Sequence, residues 1–449
     1  MTVIEQQPAG QSVGTPQTAR AGRPAVRLGW LDALRGIAAL LVAIHHFGVL
    51  KLLPPAGPWI EDHFDLGIYA VMLFFLVSGY IVPASLERRG DVRGFWVGRI
   101  FRIYPLLLIV ITLSLVILPK DFSAVPGVVT DHPVRSYLAN LTLLHEMLNI
   151  PSALGAMWTL CYEMVFYFFV SALFVKGWHR QSAGISVFFA GAALLLGAFV
   201  TPAMITTNTA STQHLITATI VVMITGLVCV LSGRPELVRT GAMVLGGLGA
   251  VLLFFNARST FFESMMILAT MFAGTAIFRA EKKQIDPLLA VITCGFVLTS
   301  GFLVGFLYNH GDALNRTWTA GWIAFSASYL GAWLSFGFGM LLRNRRWPRP
   351  LTWLGKVSYS VYVVHIPVLW GIYWLEKNVH FAQHGAGKFV PTLIFLAAVM
   401  VFSQLTYSLV EMPGQNLGKK VAKMLDRRLP QTAPKHAAAE QAPVSSGVS

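Results

Sequence analysis

An arginine and a histidine share one face of the first apolar segment: Arg35 and His46, in Leu31-Asp-Ala-Leu-Arg-Gly-Ile-Ala-Ala-Leu-Leu-Val-Ala-Ile-His-His-Phe. In a helix, eleven residues at about 100° each make three turns plus roughly 20°, so the two side chains lie on one stripe about 16 Å apart. A guanidinium presents a fixed fork of donors that matches phosphate or carboxylate, and an imidazole takes or gives a proton near neutral pH. Ionisable groups inside a membrane span are costly, and they mark substrate paths, proton relays or catalytic sites. A plainer alternative makes Asp32 and Arg35 interfacial anchors and His45 and His46 polar glue between helices.

Four further patches carry chemistry. In Phe95-Trp-Val-Gly-Arg-Ile-Phe-Arg-Ile-Tyr-Pro105, Arg99 and Arg102 stand three apart where the third apolar span is expected to open. Paired guanidinium forks beside free backbone N–H groups suit a phosphate or pyrophosphate, although positive anchoring at the interface would also use one of them. In Trp158-Thr-Leu-Cys-Tyr-Glu-Met-Val-Phe-Tyr167, Glu163 lies in an apolar run with Tyr167 one turn on; such a carboxylate needs a partner, catalytic or structural. Leu354-Gly-Lys-Val-Ser-Tyr-Ser-Val-Tyr-Val-Val-His-Ile-Pro367 places Ser358, Tyr359, Ser360, Tyr362 and His365 on consecutive turns, where they line a polar cavity or hold helices together. In Phe74-Phe-Leu-Val-Ser-Gly-Tyr80, Ser78 and Gly79 read as a close helix contact.

The elements that must position these groups are membrane helices. The chain of 449 residues is 55% hydrophobic and 12% charged, with a mean hydropathy of +0.62, too apolar for a soluble globular protein. Spans are expected near 31–53, 66–86, 102–118, 157–175, 183–202, 214–232, 240–256, 260–279, 287–308, 318–342, 357–375 and 389–411, an all-α, polytopic transmembrane helical bundle of about 10–12 spans. With the amino terminus inside, 26 of the 34 basic residues fall in inner loops and tails, seven in outer loops, and Arg35 within a span. Both termini are therefore expected to be cytoplasmic, in a multi-pass inner (plasma) membrane protein. A basic inner face against an anionic leaflet accounts for the net charge of +14 without nucleic acid. Residues 1–27 are expected to form a disordered cytoplasmic tail, 28–412 the membrane-embedded domain, and 413–449 a basic and then disordered cytoplasmic tail. The amphipathic stretch Ser136–Asn149 in the longest outer loop either lies flat at the interface or dips in as a re-entrant piece. The glycines near Gly241 read as helix packing, and Cys161, Cys229 and Cys294 offer neither a disulfide framework nor metal-ligand spacing.

Five motifs in order resemble acyltransferase family 3, the integral-membrane acyltransferases of bacterial surface glycans, nodulation factors and macrolides. They are Leu31-Asp-Ala-Leu-Arg-Gly-Ile-Ala-Ala-Leu with an Arg, ten residues and a His; Phe74-Phe-Leu-Val-Ser-Gly-Tyr; Arg-x-x-Arg before Ile-Tyr-Pro; Trp-Thr-Leu-x-x-Glu-x-x-Phe-Tyr; and Ser-Tyr-Ser-x-Tyr-x-x-His-x-Pro. The resemblance implies transfer of an acyl group, usually acetyl, from cytoplasmic acyl-CoA to a hydroxyl of a glycan, glycolipid or macrolide-like acceptor, at or across the lipid bilayer. It implies His46 and Glu163 as catalytic residues, with Arg35, Arg99, Arg102, Tyr167, Ser358, Tyr359 and His365 binding donor or acceptor. No metal is expected, and the oligomeric state is not legible. Two features depart from the family pattern: Met164 follows Glu163 where many members have a second acid, and two more spans are counted than the usual ten or so. Depth along the spans suggests Glu163 as the partner of His46, orienting it and stabilising its imidazolium. A 12-span secondary transporter or a flippase without acyl-transfer chemistry has the same topology, but the paired Gly/Pro-interrupted helices of a transporter are not evident.

Overall fold

Helix starts and stops follow the capping residues. In this computed structural model, residues 29–117, 131–311, 314, 317, 321–379 and 385–429 are described, and among them every regular element is helical. The tail expectations for residues 1–27 and beyond Leu429 lie outside the described residues. The helices are α1 (Gly29–Phe47), α2 (Ala56–His63), α3 (Leu66–Arg89), α4 (Val92–Thr112), α5 (Pro133–Leu141), α6 (Trp158–Lys176), α7 (Ser182–Leu196) and α8 (Thr209–Leu231). After them come α9 (Pro235–Phe255), α10 (Phe261–Glu281), α11 (Pro287–Tyr308), α12 (Trp322–Leu341), α13 (Arg349–Asn378), α14 (Val390–Thr406) and α15 (Met412–Arg428). The Asp65 carboxylate caps α3 by accepting from Ile68 N, and Asn208 opens α8 with a capping box to Ser211. Gly90 at φ 66° and Gly177 at φ 74° close α3 and α6 in the left-handed conformation that glycine adopts without strain.

Ten helices are long and apolar enough to cross a membrane among the described residues, against twelve spans expected. Of the other two, α7 has 15 residues, about 22 Å of rise, short of a hydrocarbon core near 30 Å. The other, α13, has 30 residues but carries the polar Ser-Tyr-Ser-Val-Tyr face. A second difference concerns the double arginine. Helix α4 starts at Val92, ten residues before the expected span, because the Asp91 side chain accepts from Arg93 N and Gly94 N. Arg99 and Arg102 therefore lie two to three turns inside the helix, and the first free N–H groups are taken by Asp91, not left for an anion.

The core is built on α10, buried along nearly all its length between α3, α7 and α11. Gly79 lets the α3 backbone reach that of Met271, and Thr275 Oγ1 donates to Gly79 O at 2.8 Å. Gly241 likewise brings α9 onto α8, with Gly226 O 2.5 Å from where a Cβ would stand. On the other side α1 packs against both α13 and α3. A Cβ on Gly36 would lie 2.6 Å from Gly355 N, and one on Gly355 would run into the Asp32 backbone. This contact joins α1 and α13 nearly backbone to backbone.

The segment between α5 and α6 folds into the bundle. After α5, the 3₁₀ turn His145–Leu148 is wholly buried, held where Asn256 Nδ2 donates to Met147 O at 2.9 Å and Ser259 Oγ to Glu146 Oε1 at 2.9 Å. Burial pushes the His145 imidazole down to about 3 and the Glu146 carboxyl up. At the far end of the chain, a π-helical stretch Tyr407–Glu411 leads into α15, whose Gly414 and Gly418 sit on Phe101 and Pro105 of α4. The buried Arg93 donates to Asp426 Oδ1 of α15 at 2.7 Å.

Candidate active site

Five helices, α1, α3, α4, α6 and α13, line a chamber whose empty space, its open mouth included, is about 460 Å³. Arg35 enters from α1, Arg99 and Arg102 from α4, Thr159, Glu163 and Tyr167 from α6, and Ser358, Tyr359 and Tyr362 from α13. The wall thus carries three guanidiniums and one carboxylate, an anion-attracting chamber inside the helical bundle. Tyr167 is pinned between two of these groups: its hydroxyl donates to Glu163 Oε1 at 2.5 Å and accepts from Arg99 Nη1 at 3.4 Å. The Arg99 guanidinium lies over the Tyr167 ring at 4.7 Å and the Phe95 ring at 5.2 Å, and that of Arg35 over Phe74 at 5.7 Å. Ser78 Oγ also donates to Glu163 Oε1, at 3.4 Å. Arg35 stands within electrostatic reach of Arg102, Glu163 and Asp32.

On α13, Tyr359 donates to Ile103 O at 2.6 Å, which ties α13 to α4, and Ser358 Oγ turns back to Gly355 O at 3.0 Å. One turn further on, Tyr362 lines the chamber on the side nearest His365. Its hydroxyl meets Thr159 Oγ1 at 2.5 Å and donates to Ala156 O, and its ring stacks on Phe74 at 6.5 Å.

Past Tyr362 lies a second cluster. His365 Nε2 is 3.4 Å from His46 Nδ1, and the two rings are 5.1 Å apart. His45 packs edge-on to His46 at 5.5 Å and reaches Asp65 Oδ1 at 3.9 Å. Tyr362 joins the clusters, its ring 6.0 Å from that of His365. The residues singled out in the sequence thus fall into two layers: Arg35, Arg99, Arg102, Glu163, Tyr167, Ser358 and Tyr359 around the chamber, and His46 with His365 beyond it. The expected pairing of Glu163 with His46 is not what the fold builds. Glu163 is hydrogen-bonded to Tyr167 and Ser78 on the arginine side, and His46 meets His365. Depth along separate helices places a residue in a layer but does not choose its neighbour.

Three groups escaped the sequence reading. Ser78, by its motif a packing residue, also reaches Glu163 with its hydroxyl. Thr159, beside the conspicuous Trp158, meets the Tyr362 hydroxyl. Glu411 is buried at the end of the π-helical stretch, accepts from Ser360 Oγ at 3.0 Å and from Gln415 Nε2 at 3.1 Å, and feels the charges of Arg102 and Arg35. An acid at the end of the last apolar run was the available signal for Glu411, and π-helical turns recur at functional sites.

A many-helix membrane fold with a basic, polar chamber in its interior is the class that fold and site define. Within that class, residues 28–408 match the acyltransferase 3 family, described as an acyltransferase domain, and the chain belongs to that family. It is also similar to "Acyltransferase MdmB" of Streptomyces mycarofaciens, 33% identical over 153 residues, which are 32% of this chain and 38% of the relative. The chain thus spans well under half the length of that relative.

Proposed function

We propose that this acyltransferase moves an acyl group, acetyl first among candidates, from acyl-CoA on the cytoplasmic side to a hydroxyl of a glycan, glycolipid or macrolide-like acceptor at or across the plasma membrane. The observation that carries this reading is the chamber of three arginines, which fits a phosphate-bearing donor, with a histidine one layer further along the same bundle. Arg35, Arg99 and Arg102 hold the diphosphate of the donor, and the pantetheine arm runs past Tyr359 and Tyr362 towards His46. The His46 imidazole takes the proton of the acceptor hydroxyl, the oxygen attacks the thioester carbon, the C–S bond breaks and CoA leaves as thiolate. Glu163 keeps Tyr167 and, through it, Arg99 in place. The inward orientation of both termini, argued from the basic loops, puts the arginine layer on the side where CoA is found.

The test is transfer from radiolabelled acetyl-CoA by the purified protein in nanodiscs. Release of CoA that depends on added hydroxyl acceptor supports the reading. Binding of neither donor nor acceptor-dependent release of CoA, across acyl-CoA chain lengths and a panel of glycan, glycolipid and macrolide acceptors, overturns it.

A further inference from the structure

Two hydrogen bonds decide which nitrogen of His46 is free. His46 Nδ1 lies 2.9 Å from Val42 O, one turn back on α1. A carbonyl oxygen only accepts, so Nδ1 carries the hydrogen and Nε2 holds the lone pair. The same holds on α13, where His365 Nδ1 is 3.2 Å from Val361 O and carries its hydrogen there. His365 Nε2 is therefore an acceptor, and it stands 3.4 Å from His46 Nδ1. The His46 N–H is shared between Val42 O and His365 Nε2, and His46 Nε2 is left as the base.

The register of this contact comes from the glycines. Gly36 and Gly355 pack backbone to backbone, and His46 and His365 stand at the same offset of 319 residues. Both contacts lie along two parallel helices, so the glycine pair brings the rings together, tilted at 46°, about fifteen ångströms further on, ten residues at 1.5 Å each. His365 is fully buried whereas His46 is partly exposed, so of the two rings only His46 is open to a reactant.

We propose that His365 is a positioning residue for His46: its Nε2 accepts the Nδ1 hydrogen, fixes the tautomer that exposes Nε2, and stabilises the imidazolium once the acceptor hydroxyl has given up its proton. This rests on the reading of His46 as the base. The role matches that of a carboxylate behind a catalytic histidine, filled here by a neutral ring, which avoids burying a second charge.

The discriminating variants are His365→Gln and His365→Asn in the full-length protein. The Gln amide oxygen reaches the position of Nε2, whereas the Asn oxygen reaches only that of Nδ1. His365→Gln should keep kcat within about tenfold of wild type and His365→Asn should lose at least a hundredfold, both with donor KM within about twofold. Equal kcat in the two variants, high or low, overturns the proposal, because a packing role does not distinguish where the acceptor atom lies. His46→Ala separates the two readings. If His46→Ala stays active, the assignment of the base fails; if it is inactive while both His365 variants turn over normally, only the positioning role fails.

Discussion

His46→Ala should abolish transfer, since a positioned general base contributes about 10²–10⁴-fold, while insertion and folded yield hold because span hydrophobicity rises. Turnover assays on protein matched for monodisperse yield check it, and His45→Ala, whose ring turns towards Asp65, should cost far less. Arg99→Ala and Arg102→Ala should each weaken donor binding by about 10- to 150-fold, the value of one charge-assisted hydrogen bond at about 1.5–3 kcal/mol. Lysine at either position should recover only part, because a point charge lacks the fork. Donor titrations by calorimetry read this directly. The company Glu163 keeps sets its expected behaviour. Because its carboxylate accepts from Tyr167 and Ser78, Glu163→Gln and Tyr167→Phe should be coupled by about 0.5–3 kcal/mol in a double-mutant cycle, whereas Glu163→Gln and His365→Asn should add. Coupling to the histidine layer instead would return Glu163 to the side of His46.

Glycines at helix crossings carry as much of the site as its polar groups do. Gly36→Ala and Gly355→Ala force α1 and α13 apart, an overpacking cost of about 1–3 kcal/mol, and shift the histidines relative to each other. Thermal stability and turnover should fall together in both, whereas Gly247→Ala and Gly295→Ala, which meet nothing within 4 Å, should be silent. The buried turn His145–Leu148 offers a pH test. His145 has its pKa pushed by burial from 6.5 down to about 3, so the unfolded state binds the proton more readily. Its contribution is intact above pH 6.5 and is lost as pH falls, at about 1.4 kcal/mol per unit until the folded value is reached. Glu146, pushed the other way, gains on acidification, so the readout is the difference in melting temperature between wild type and His145→Gln at each pH. That difference should change between pH 7 and pH 5; a constant offset would remove His145 from the pH response.

At the scale of the whole molecule the chain is layered: an arginine-lined chamber towards the end that carries the amino terminus of α1, Tyr362 between the layers, and a histidine pair beyond. The proposed orientation, with both termini inside, rests on charge asymmetry and is directly testable. Cysteines introduced near residue 344, between α12 and α13, should be labelled by a membrane-impermeant maleimide only after the cells are opened, and one near residue 258 in intact spheroplasts. The reverse pattern would put the arginine chamber on the wrong side for cytoplasmic CoA.

Sequence alone settled what is local. Hydropathy is a property of one segment, so the helical membrane class was legible before any packing was known, with span counts off only where α7 is short and α13 polar. Motif spacing is equally local, and it picked out Arg35, His46, Arg99, Arg102, Glu163 and His365. Helix caps were less legible: Asp91 moved the start of α4 ten residues earlier and took the N–H groups first assigned to an anion. Partnership was decided by tertiary structure. His46 meets His365 because Gly36 and Gly355 let two helix backbones touch, and Glu163 meets Ser78 because α6 faces α3 at that level, whereas its bond to Tyr167, one turn on along α6, is local. Such pairings depend on how close and at what rotation two helices pack, and ångström-scale shifts in either change the neighbour while leaving every local pattern intact.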